Sequence, residues 1–221
     1  MFENKKMRTI VLIAGRSGSK RIPDKNIREL GGLPLMVWSI ASGLALDLPV
    51  YVSTDSWDYA RIAKQAGAIP LIRPEDLARD DSGDYGVIRN ALVHVRADLI
   101  VYLRPTTPFR TITLLKEAIR LMSVPGYDSL RSVEEMSESA YKCFRIKAKL
   151  LHPLNIIDLT DMSNQSLPRT YHPNGYIDIV RREIVESGSL WGSGRFAFIT
   201  PRAIEIDTPD DWDYAEYRAR R

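Results

Sequence analysis

Short runs of apolar and β-branched residues alternate with longer amphipathic segments along the first half of the chain. The runs are apolar nearly throughout, which is typical of strands in a parallel sheet that is covered on both faces. Between them, apolar residues recur every three to four positions, which predicts helices. The predicted strands are Thr9–Ala14, Pro49–Ser53, Ala68–Ile72 and Leu99–Leu103, and the predicted helices are Leu35–Leu46, Asp55–Ala66 and Tyr85–Val95. This β-α-β-α order predicts a parallel sheet with right-handed crossover connections.

The pattern changes near residues 124–126 and becomes richer in strands. Alternating runs at Ser129–Val133 and Cys143–Ile146 are followed by an irregular polar stretch. Alternation of this kind indicates antiparallel strands. We therefore expect one α/β domain over residues 7–221, with an inserted β-arm at about residues 130–175. Two further strands and a closing helix are predicted at Gly175–Val180, Ala197–Thr200 and Thr208–Tyr217.

Composition narrows the class of protein without indicating a function. The 221 residues include 31 Lys and Arg against 28 Asp and Glu, a formal net charge of +3, with 44% hydrophobic and 27% charged residues. These values exclude a disordered or fibrous chain, and the charge is too slight to indicate nucleic-acid binding. The single cysteine, Cys143, excludes an intrachain disulfide framework and a cysteine-based zinc site. The run Ile10–Ala14 is too short to span a membrane and no signal peptide is visible, so we expect a soluble cytoplasmic protein.

Candidate chemistry is densest in Gly15–Asn26 (GRSGSKRIPDKN), which directly follows the first predicted strand. Loops at the carboxyl ends of parallel strands are where open α/β sheets bind ligands. Glycines let backbone N–H groups approach a polyphosphate, and cations neutralise it. The four cations here are Arg16, Lys20, Arg21 and Lys25. Neither the P-loop spacing nor the G-x-G-x-x-G spacing is present, so a solvated basic loop is an alternative on composition alone.

The same segment resembles the N-terminal motif of a known enzyme family. Ile13–Asn26 reads IAGRSGSKRIPDKN, which is similar to the pattern I-P-A-R-G-G-S-K-x-I-P-x-K-N of CMP–N-acylneuraminate (CMP–sialic acid) synthetases. Ala14, Gly15 and Ser17 depart from the pattern. The resemblance continues in order through GLPLMVWS, VSTD, RPEDL, LRPTTPFR, NGYI and IEIDT, over nearly the whole chain. It implies a three-layer, Rossmann-like nucleotidyltransferase fold of the GT-A type, with a mostly parallel central sheet and a β-arm that serves dimerisation.

By this resemblance, the basic loop would bind the triphosphate of CTP. The residues implied to bind the nucleotide are Arg16, Ser19, Lys20, Lys25, Asn26 and Arg73. Arg73 and the turn at Asp80–Gly83 resemble the family's cytosine pocket, although for Arg73 alone a surface residue that caps a strand end is an equal alternative. Arg16 and Lys25 are also expected to act in catalysis, by stabilising the departing pyrophosphate. Residues 53–55 are expected to shape the exit of a strand and to cap the next helix.

Two carboxylates near the C-terminus suit a metal ion. Glu205 and Asp207 lie two positions apart in an extended segment, so both point to the same side. Mg²⁺ takes one or two carboxylates together with nucleotide phosphates and waters. The family has two aspartates here; Asp207 matches the second and is expected to hold Mg²⁺ and to act in catalysis, whereas Glu205 replaces the first. Asp210 and Asp211 are interpreted as acids in the first turn of a helix that Thr208 caps.

The segment Leu103–Arg110 departs from the family in a way that bears on the sugar. It reads LRPTTPFR where the family commonly has L-Q-P-T-S-P-x-R, so Arg104 replaces a glutamine that faces the sugar. A guanidinium can bind a carboxylate through two hydrogen bonds. The residues implied to bind the sugar acid are Arg104, Thr106, Thr107, Asn174 and Lys142, the last reaching across from a partner subunit. His172 and Asn164 stand where, or near where, the family has arginines, so we expect a substrate other than plain N-acetylneuraminate.

Together these features predict a Mg²⁺-dependent cytidylyltransferase. It would transfer CMP from CTP to the anomeric hydroxyl of an acidic nine-carbon sugar, a sialic-acid-like nonulosonic acid, and release pyrophosphate. Two alternatives stay open. One is a nucleotidyltransferase of the same fold that acts on another sugar acid, such as Kdo, or on a sugar phosphate. The other is a non-catalytic nucleotide-sensing or scaffold domain. We expect a homodimer, with neither nucleic acid nor a membrane as a partner.

Overall fold

The computed structural model describes residues 7–78 and 83–221, which form a layered α/β domain around a seven-stranded sheet. The strands are β1 (Thr9–Ala14), β2 (Glu29–Leu30), β3 (Leu33–Pro34), β4 (Val50–Thr54), β5 (Ile69–Ile72), β6 (Leu99–Leu103), β7 (Ser129–Glu135), β8 (Phe144–Lys147), β9 (Leu150–Pro153), β10 (Tyr171–Arg181) and β11 (Arg195–Ile199). The helices are α1 (Leu35–Leu44), α2 (Trp57–Gln65), α3 (Asp84–His94), α4 (Ile112–Met122), α5 (Arg182–Glu186) and α6 (Pro209–Ala219). The order along the sheet is β11-β7-β10-β6-β1-β4-β5, and β2–β3 and β8–β9 form two small hairpins.

The larger part of the sheet is parallel, as the alternation of strands and helices predicted. Strand β1 pairs in parallel with β4 and β6, and β4 pairs in parallel with β5. Strand β10 runs antiparallel between β6 and β7, while β11 is parallel to β7. Because β10 enters from the opposite direction, residues in its middle lie beside the end of β6, where the chain leaves the sheet.

Successive residues of the central strands face opposite layers of helices, because side chains alternate across a strand. Val11 and Ile13 pack in a core cluster with residues of α1, α2 and α4. Ile10 and Leu12 pack in a second cluster with residues of α3 and α5. All four of these side chains are at most 3% exposed, which explains why β1 is apolar throughout. The chain therefore has the three-layer, Rossmann-like α/β architecture expected from its sequence.

Helix α4 was absent from the sequence-based expectations. Its buried side chains, Leu115, Ala118 and Met122, recur at helical spacing on one face. None of the helices in residues 7–78 and 83–221 combines the length and the apolarity that a membrane span requires.

The inserted arm is shorter at both ends than predicted. Strands β7 and β10, which flank it, belong to the central sheet, so only residues 136–170 lie outside that sheet. Within this segment the β8–β9 hairpin exposes several large apolar side chains instead of packing them on the core. The most exposed are Ile146 (76%), Leu150 (63%) and Leu151 (62%). The expected role of the arm in dimerisation is taken up below.

Candidate active site

A cleft of about 490 Å³ opens at the carboxyl ends of the parallel strands. This is the edge at which open α/β sheets bind ligands, since strand exits and helix starts converge there. The loop after β1, the residue after β5 and the residues after β6 all contribute to the lining. The polar and charged residues that line the cleft are Arg16, Ser19, Lys20, Arg21, Lys25, Asn26, Arg73, Asp84, Tyr102, Arg104, Thr106 and Asp207.

The basic loop is held in place from behind by Asp55. The Asp55 carboxylate accepts hydrogen bonds from the backbone N–H of Ser17 at 2.9 Å and from its hydroxyl at 2.5 Å. Burial alone would raise the pKa of Asp55, but the hydrogen bonds from Ser17 outweigh it, so the pKa lies below its usual range. The expectation that Asp55 caps the next helix is wrong, because α2 is capped by Ser56, whose hydroxyl accepts from the backbone N–H of Tyr59. Asp55 instead anchors the loop that lines the cleft.

Asn26 shapes the same loop from its other end. Its side chain is buried, and its amide donates to the backbone oxygen of Arg16 at 2.8 Å. The predicted nucleotide-binding residues Arg16, Ser19, Lys20 and Lys25 line the cleft in front of it. The structure thus brings the whole predicted phosphate loop to one wall, with Asn26 as a support beneath it.

Arg73 is buried, so the alternative of a surface residue that caps a strand does not hold. It is 4% exposed, and its Nε and Nη1 have no hydrogen-bond partner in the part of the chain that the structure describes. Burial lowers the pKa of Arg73, and the charge of Asp55 opposes this effect. Buried donors are normally paired, so these two nitrogens are exceptions in a residue that lines the cleft. In the predicted turn Asp80–Gly83, the first three residues lie outside the described residues, and Gly83 directly precedes α3.

The acid pair Glu205 and Asp207 lies beside the basic loop, and Asp207 lines the cleft. Ile206, between them, is fully buried, and its N–H donates to the backbone oxygen of Thr106 at 2.8 Å, so both carboxylates point away from the core. The Nζ of Lys25 donates to Asp207 at 3.0 Å. Burial, reinforced by the charge of Asp207, raises the pKa of Glu205.

The helix that follows this pair fixes its position. Asp211 accepts hydrogen bonds from the N–H of Asp207 at 3.1 Å and from the N–H and hydroxyl of Thr208, each at 2.8 Å. Thr208 in turn accepts from the N–H of Asp211, which completes a capping box at the start of α6. The predicted role of Thr208 and Asp211 as a helix start is therefore confirmed.

Arg104 occupies the third wall, between two carboxylates. It donates from Nη1 to Asp178 at 2.6 Å and from Nη2 to Asp84 at 2.5 Å. The Tyr102 hydroxyl donates to the other oxygen of Asp84 at 2.8 Å. Burial lowers the pKa of Arg104, but the charges of Asp178 and Asp84 outweigh it and raise the pKa. The guanidinium is therefore a fixed cation whose charge is already balanced by its neighbours.

Behind Arg104, the partly buried Arg110 joins two loops. Its guanidinium donates to the backbone oxygens of Tyr176 at 2.6 Å and of Arg104 at 2.7 Å, and to the Ser39 hydroxyl at 2.9 Å. These bonds tie the segment after β6 to the turn in β10. At that turn Gly175 has φ +66°, a conformation that favours glycine.

The neighbourhood of Gly175 brings several predicted sugar-binding residues together. A Cβ on Gly175 would lie 3.1 Å from the Thr107 hydroxyl, 3.5 Å from Arg104 Cδ and 3.6 Å from a Glu205 carboxylate oxygen. Asn174 next to it is buried, and its amide donates to Thr200 at 2.7 Å and to Glu134 at 3.1 Å. Gly175 therefore lies where the β6 exit and the acid pair meet, and a larger residue there would be strained by its positive φ and would crowd the Thr107 hydroxyl.

Comparison with known proteins agrees with this geometry. A family model described as cytidylyltransferase matches residues 10–173. The chain belongs to the cytidylyltransferase family. It is 34% identical to the CMP-N,N'-diacetyllegionaminic acid synthase of Legionella pneumophila subsp. pneumophila, over 95% of each chain. It is 30% identical to the N-acylneuraminate cytidylyltransferase of Escherichia coli O18:K1:H7, over 94% of this chain but only 51% of that protein. The resemblance to CMP–N-acylneuraminate synthetases is therefore confirmed.

The fold is similar to that of a solved structure. A structure of CMP:2-keto-3-deoxy-manno-octonic acid synthetase complexed with CTP superposes with a TM-score of 0.74, at 15% identity, over 96% of this chain and 98% of that one. At this identity the likeness concerns the fold alone.

Other residues that the resemblance singled out lie away from the cleft lining or in supporting roles. Lys142 lies in a short 3-10 turn of the arm, Ala140–Lys142. The side chain of Asn164 donates within the arm to Glu138 at 2.8 Å and to the Ser137 backbone oxygen at 3.1 Å. His172 Nε2 lies 3.3 Å from Glu134. Their roles toward a sugar stay predictions.

Sequence reasoning did not identify four residues that support the cleft of this cytidylyltransferase. Asp55, Asp84, Arg110 and Asp178 each bond a loop or a side chain of the cleft. A signal existed for Asp178, since it is a lone charge in the otherwise apolar run of β10 and is only 2% exposed. A charge in a buried strand requires a partner, but the sequence does not say which one.

Proposed function

We propose that this chain transfers CMP from CTP to the anomeric hydroxyl of a sialic-acid-like nonulosonic acid and releases pyrophosphate. The observation that carries the proposal is the convergence, in one cleft, of the basic loop, the unpaired nitrogens of buried Arg73 and the Asp207 carboxylate. The names of two relatives, a CMP-N,N'-diacetyllegionaminic acid synthase and an N-acylneuraminate cytidylyltransferase, support the substrate class.

The nucleotide would lie across the basic loop. Arg16, Lys20 and Lys25 carry the positive charge that a triphosphate requires. Arg73 lines the cleft beside the basic loop, and we assign it to the cytosine pocket, as the resemblance implies. Lys25 reaches the acid pair as well, so one ammonium links the triphosphate to the carboxylates beside it.

The reaction is an in-line displacement at the α-phosphorus. The anomeric oxygen forms a bond to that phosphorus, and the bond to the oxygen that bridges to the β-phosphorus breaks, so pyrophosphate leaves with the electron pair. We assign the hydroxyl proton to the Asp207 carboxylate. Arg16 and Lys25 stabilise the charge that develops on pyrophosphate, which is worth most in a cleft from which water is excluded.

A magnesium ion fits the acid pair. Residues 7–78 and 83–221 contain no cluster of three or more His, Cys, Asp or Glu side chains that would hold a metal alone. Mg²⁺ at nucleotide sites needs only one or two carboxylates, because phosphates and waters supply the other oxygens. We propose Asp207 and Glu205 as those carboxylates, with the ion neutralising the triphosphate. Dependence on magnesium is part of this proposal.

We also propose a homodimer built through the arm. The exposed side chains of Ile146 and Leu151, which are cross-strand partners, lie on one apolar face of a hairpin that is too small to cover it. An isologous contact with a second copy would bury that face. It would also bring Lys142 toward the partner's cleft, as the resemblance implies. We place the enzyme in the cytoplasm, where its single thiol, Cys143, stays reduced.

A sugar phosphate is the less favoured substrate, on electrostatic grounds. It would set a dianion against a wall that already contains Asp84, Asp178 and Glu205. Like charges at close range are unfavourable at any dielectric. Kdo, the other alternative, shares the acidic group and must be separated by assay.

The test is pyrophosphate release from each of the four ribonucleoside triphosphates with a panel of sugar acids. We expect release with CTP and a nonulosonic acid, and little with Kdo or a sugar phosphate. Arg16→Ala should lower kcat/KM by about 100-fold or more. The matched control Arg61→Ala, which removes a surface arginine that pairs with Asp58 on α2, should leave it unchanged. CTP binding without turnover of any sugar would instead support the sensing domain.

A further inference from the structure

The pairing of Arg104 assembles from three separate parts of the chain. Arg104 leaves the sheet directly after β6, Asp84 opens α3, and Asp178 lies in the middle of β10. Asp178 is 3% exposed at its side chain and Asp84 37%, so one carboxylate is a buried support and the other lies at the cleft. Arg131 reinforces the buried one, with its Nε 3.8 Å from the second oxygen of Asp178.

This arrangement fixes the direction of the guanidinium. Its two Nη atoms each donate to a different carboxylate, and its side chain is 19% exposed. A guanidinium has five N–H groups. Within the described ranges two of the five donate to carboxylates, and the side chain keeps some exposure at the cleft. A side chain held at two points by charge-assisted hydrogen bonds has little freedom to turn toward a third carboxylate.

The local charge also argues against a carboxylate ligand at this wall. Two cations, Arg104 and Arg131, are set among three carboxylates, Asp84, Asp178 and Glu205. An incoming carboxylate would meet a cation that two neighbours already neutralise. A secondary amide is the better match, because its carbonyl oxygen can accept from Arg104 while its N–H can donate to the exposed Asp84 carboxylate.

We propose that Asp84 and Asp178 are specificity-determining residues: by holding Arg104 between them, they make this wall a site for an acylamino group of the sugar acid and not for its carboxylate. The inference rests on the proposed function and deepens it. It assigns Arg104 to recognition of an amide and leaves the carboxylate of the sugar to other residues of the site.

The experiment compares two sugar acids that differ at the amide. The substrates are a diacylamino-trideoxy nonulosonic acid and the deaminated analogue of N-acetylneuraminate, which has a hydroxyl in place of the acylamino group. Steady-state kinetics with CTP give kcat/KM for each, and their ratio is the amide preference. The variants are Arg104→Gln, Asp84→Asn, Asp178→Asn and the double variant of Arg104→Gln with Asp178→Asn.

We expect the unmodified enzyme to prefer the acylamino sugar by tenfold or more. Each single variant should reduce that preference at least fivefold, through KM for the sugar, with kcat and KM for CTP changed less than twofold in Asp178→Asn. The double variant should show the same preference as Arg104→Gln alone, because both changes disable one unit. The control Glu186→Gln, which removes a surface carboxylate that pairs with Arg182 on α5, should keep the full preference.

Two results would overturn the inference. If Asp84→Asn or Asp178→Asn lowers KM for both sugars equally, Arg104 binds the carboxylate of the sugar, and the two aspartates had weakened that binding. If both variants leave the preference unchanged, the acids serve structure only. Should Asp178→Asn fail to fold, Asp84→Asn at the cleft decides alone. Absence of pyrophosphate release by the unmodified enzyme with every sugar acid would refute the proposed function itself, which keeps the two failures distinct.

Discussion

We predict that the hydrogen bonds between Asp55 and Ser17 affect CTP binding, although the two side chains need not contact CTP themselves. Ser17→Ala removes the 2.5 Å bond from the hydroxyl and keeps the 2.9 Å bond from the backbone N–H. The loop then loses one of the two bonds that Ser17 donates to Asp55, while the bond from the Gly15 N–H to the Ser53 backbone oxygen remains. Arg16 and Lys20 belong to that loop. A looser loop therefore holds their charges in the arrangement that binds CTP for a smaller fraction of the time.

The magnitude follows from the charge of the acceptor. A hydrogen bond to a charged group contributes about 1.5–3 kcal/mol, and this one is partly exposed, so the lower end applies. About 1.4 kcal/mol corresponds to a tenfold change in an equilibrium constant. We therefore expect Ser17→Ala to raise KM for CTP about tenfold, with kcat nearly unchanged. Asp55→Asn should raise KM for CTP further, by about 10- to 100-fold. It also removes the negative charge that stabilises the charged form of buried Arg73.

The assay is steady-state pyrophosphate release at a saturating sugar acid, with CTP affinity measured separately by calorimetry. Ser187→Ala is the matched control, since its hydroxyl donates to the Ile184 backbone oxygen on α5, away from the cleft. An unchanged CTP affinity in Ser17→Ala would refute the reasoning, because it would show that the loop holds its shape without Asp55. A fall in kcat at unchanged KM would also refute it.

The remaining predictions concern the metal, the loop cation, the last helix and the arm. Asp207→Asn should abolish magnesium-dependent activity at an unchanged melting temperature, and activity that survives EDTA would contradict the metal role. Lys25→Ala should lower kcat about 100-fold or more, and near-normal turnover would make the loop a solvated surface. Thr208→Ala should lower the free energy of unfolding in urea by about 1 kcal/mol. The hydrogen bond from the Thr208 side chain holds the pKa of Asp211 below its usual value. The part of the loss that comes from this bond should therefore be full at neutral pH and should disappear as the pH falls through the folded pKa, whereas the part from the bond that Thr208 accepts should remain. Ile146→Asp should convert a dimer to a monomer in sedimentation. If the unmodified chain is itself a monomer, the proposed homodimer is wrong.

Local signals predicted the elements that build the floor of the site. The predicted strands Thr9–Ala14 and Leu99–Leu103 coincide with β1 and β6, because strands buried on both faces are apolar throughout and leave no ambiguity about which residues are inside. The basic loop follows the first of these strands without a break, so its place at the carboxyl edge of the sheet was predictable from order alone. Helix α4 was missed, although its buried residues share one face.

The chemistry of Arg104 shows what order and motif cannot supply. In the sequence Arg104 is one cation in place of a neutral amide, and the natural interpretation is a receptor for a carboxylate. In the structure it pairs with Asp84, 20 residues before it, and with Asp178, 74 residues after it. Neither partner belongs to the motif, and only the antiparallel entry of β10, which sets Asp178 opposite Tyr102, brings the second one into reach. A substitution that adds a charge to a site therefore predicts the ligand only after its neutralising partners are known, since two carboxylates already balance the charge that a lone guanidinium would offer to an acid.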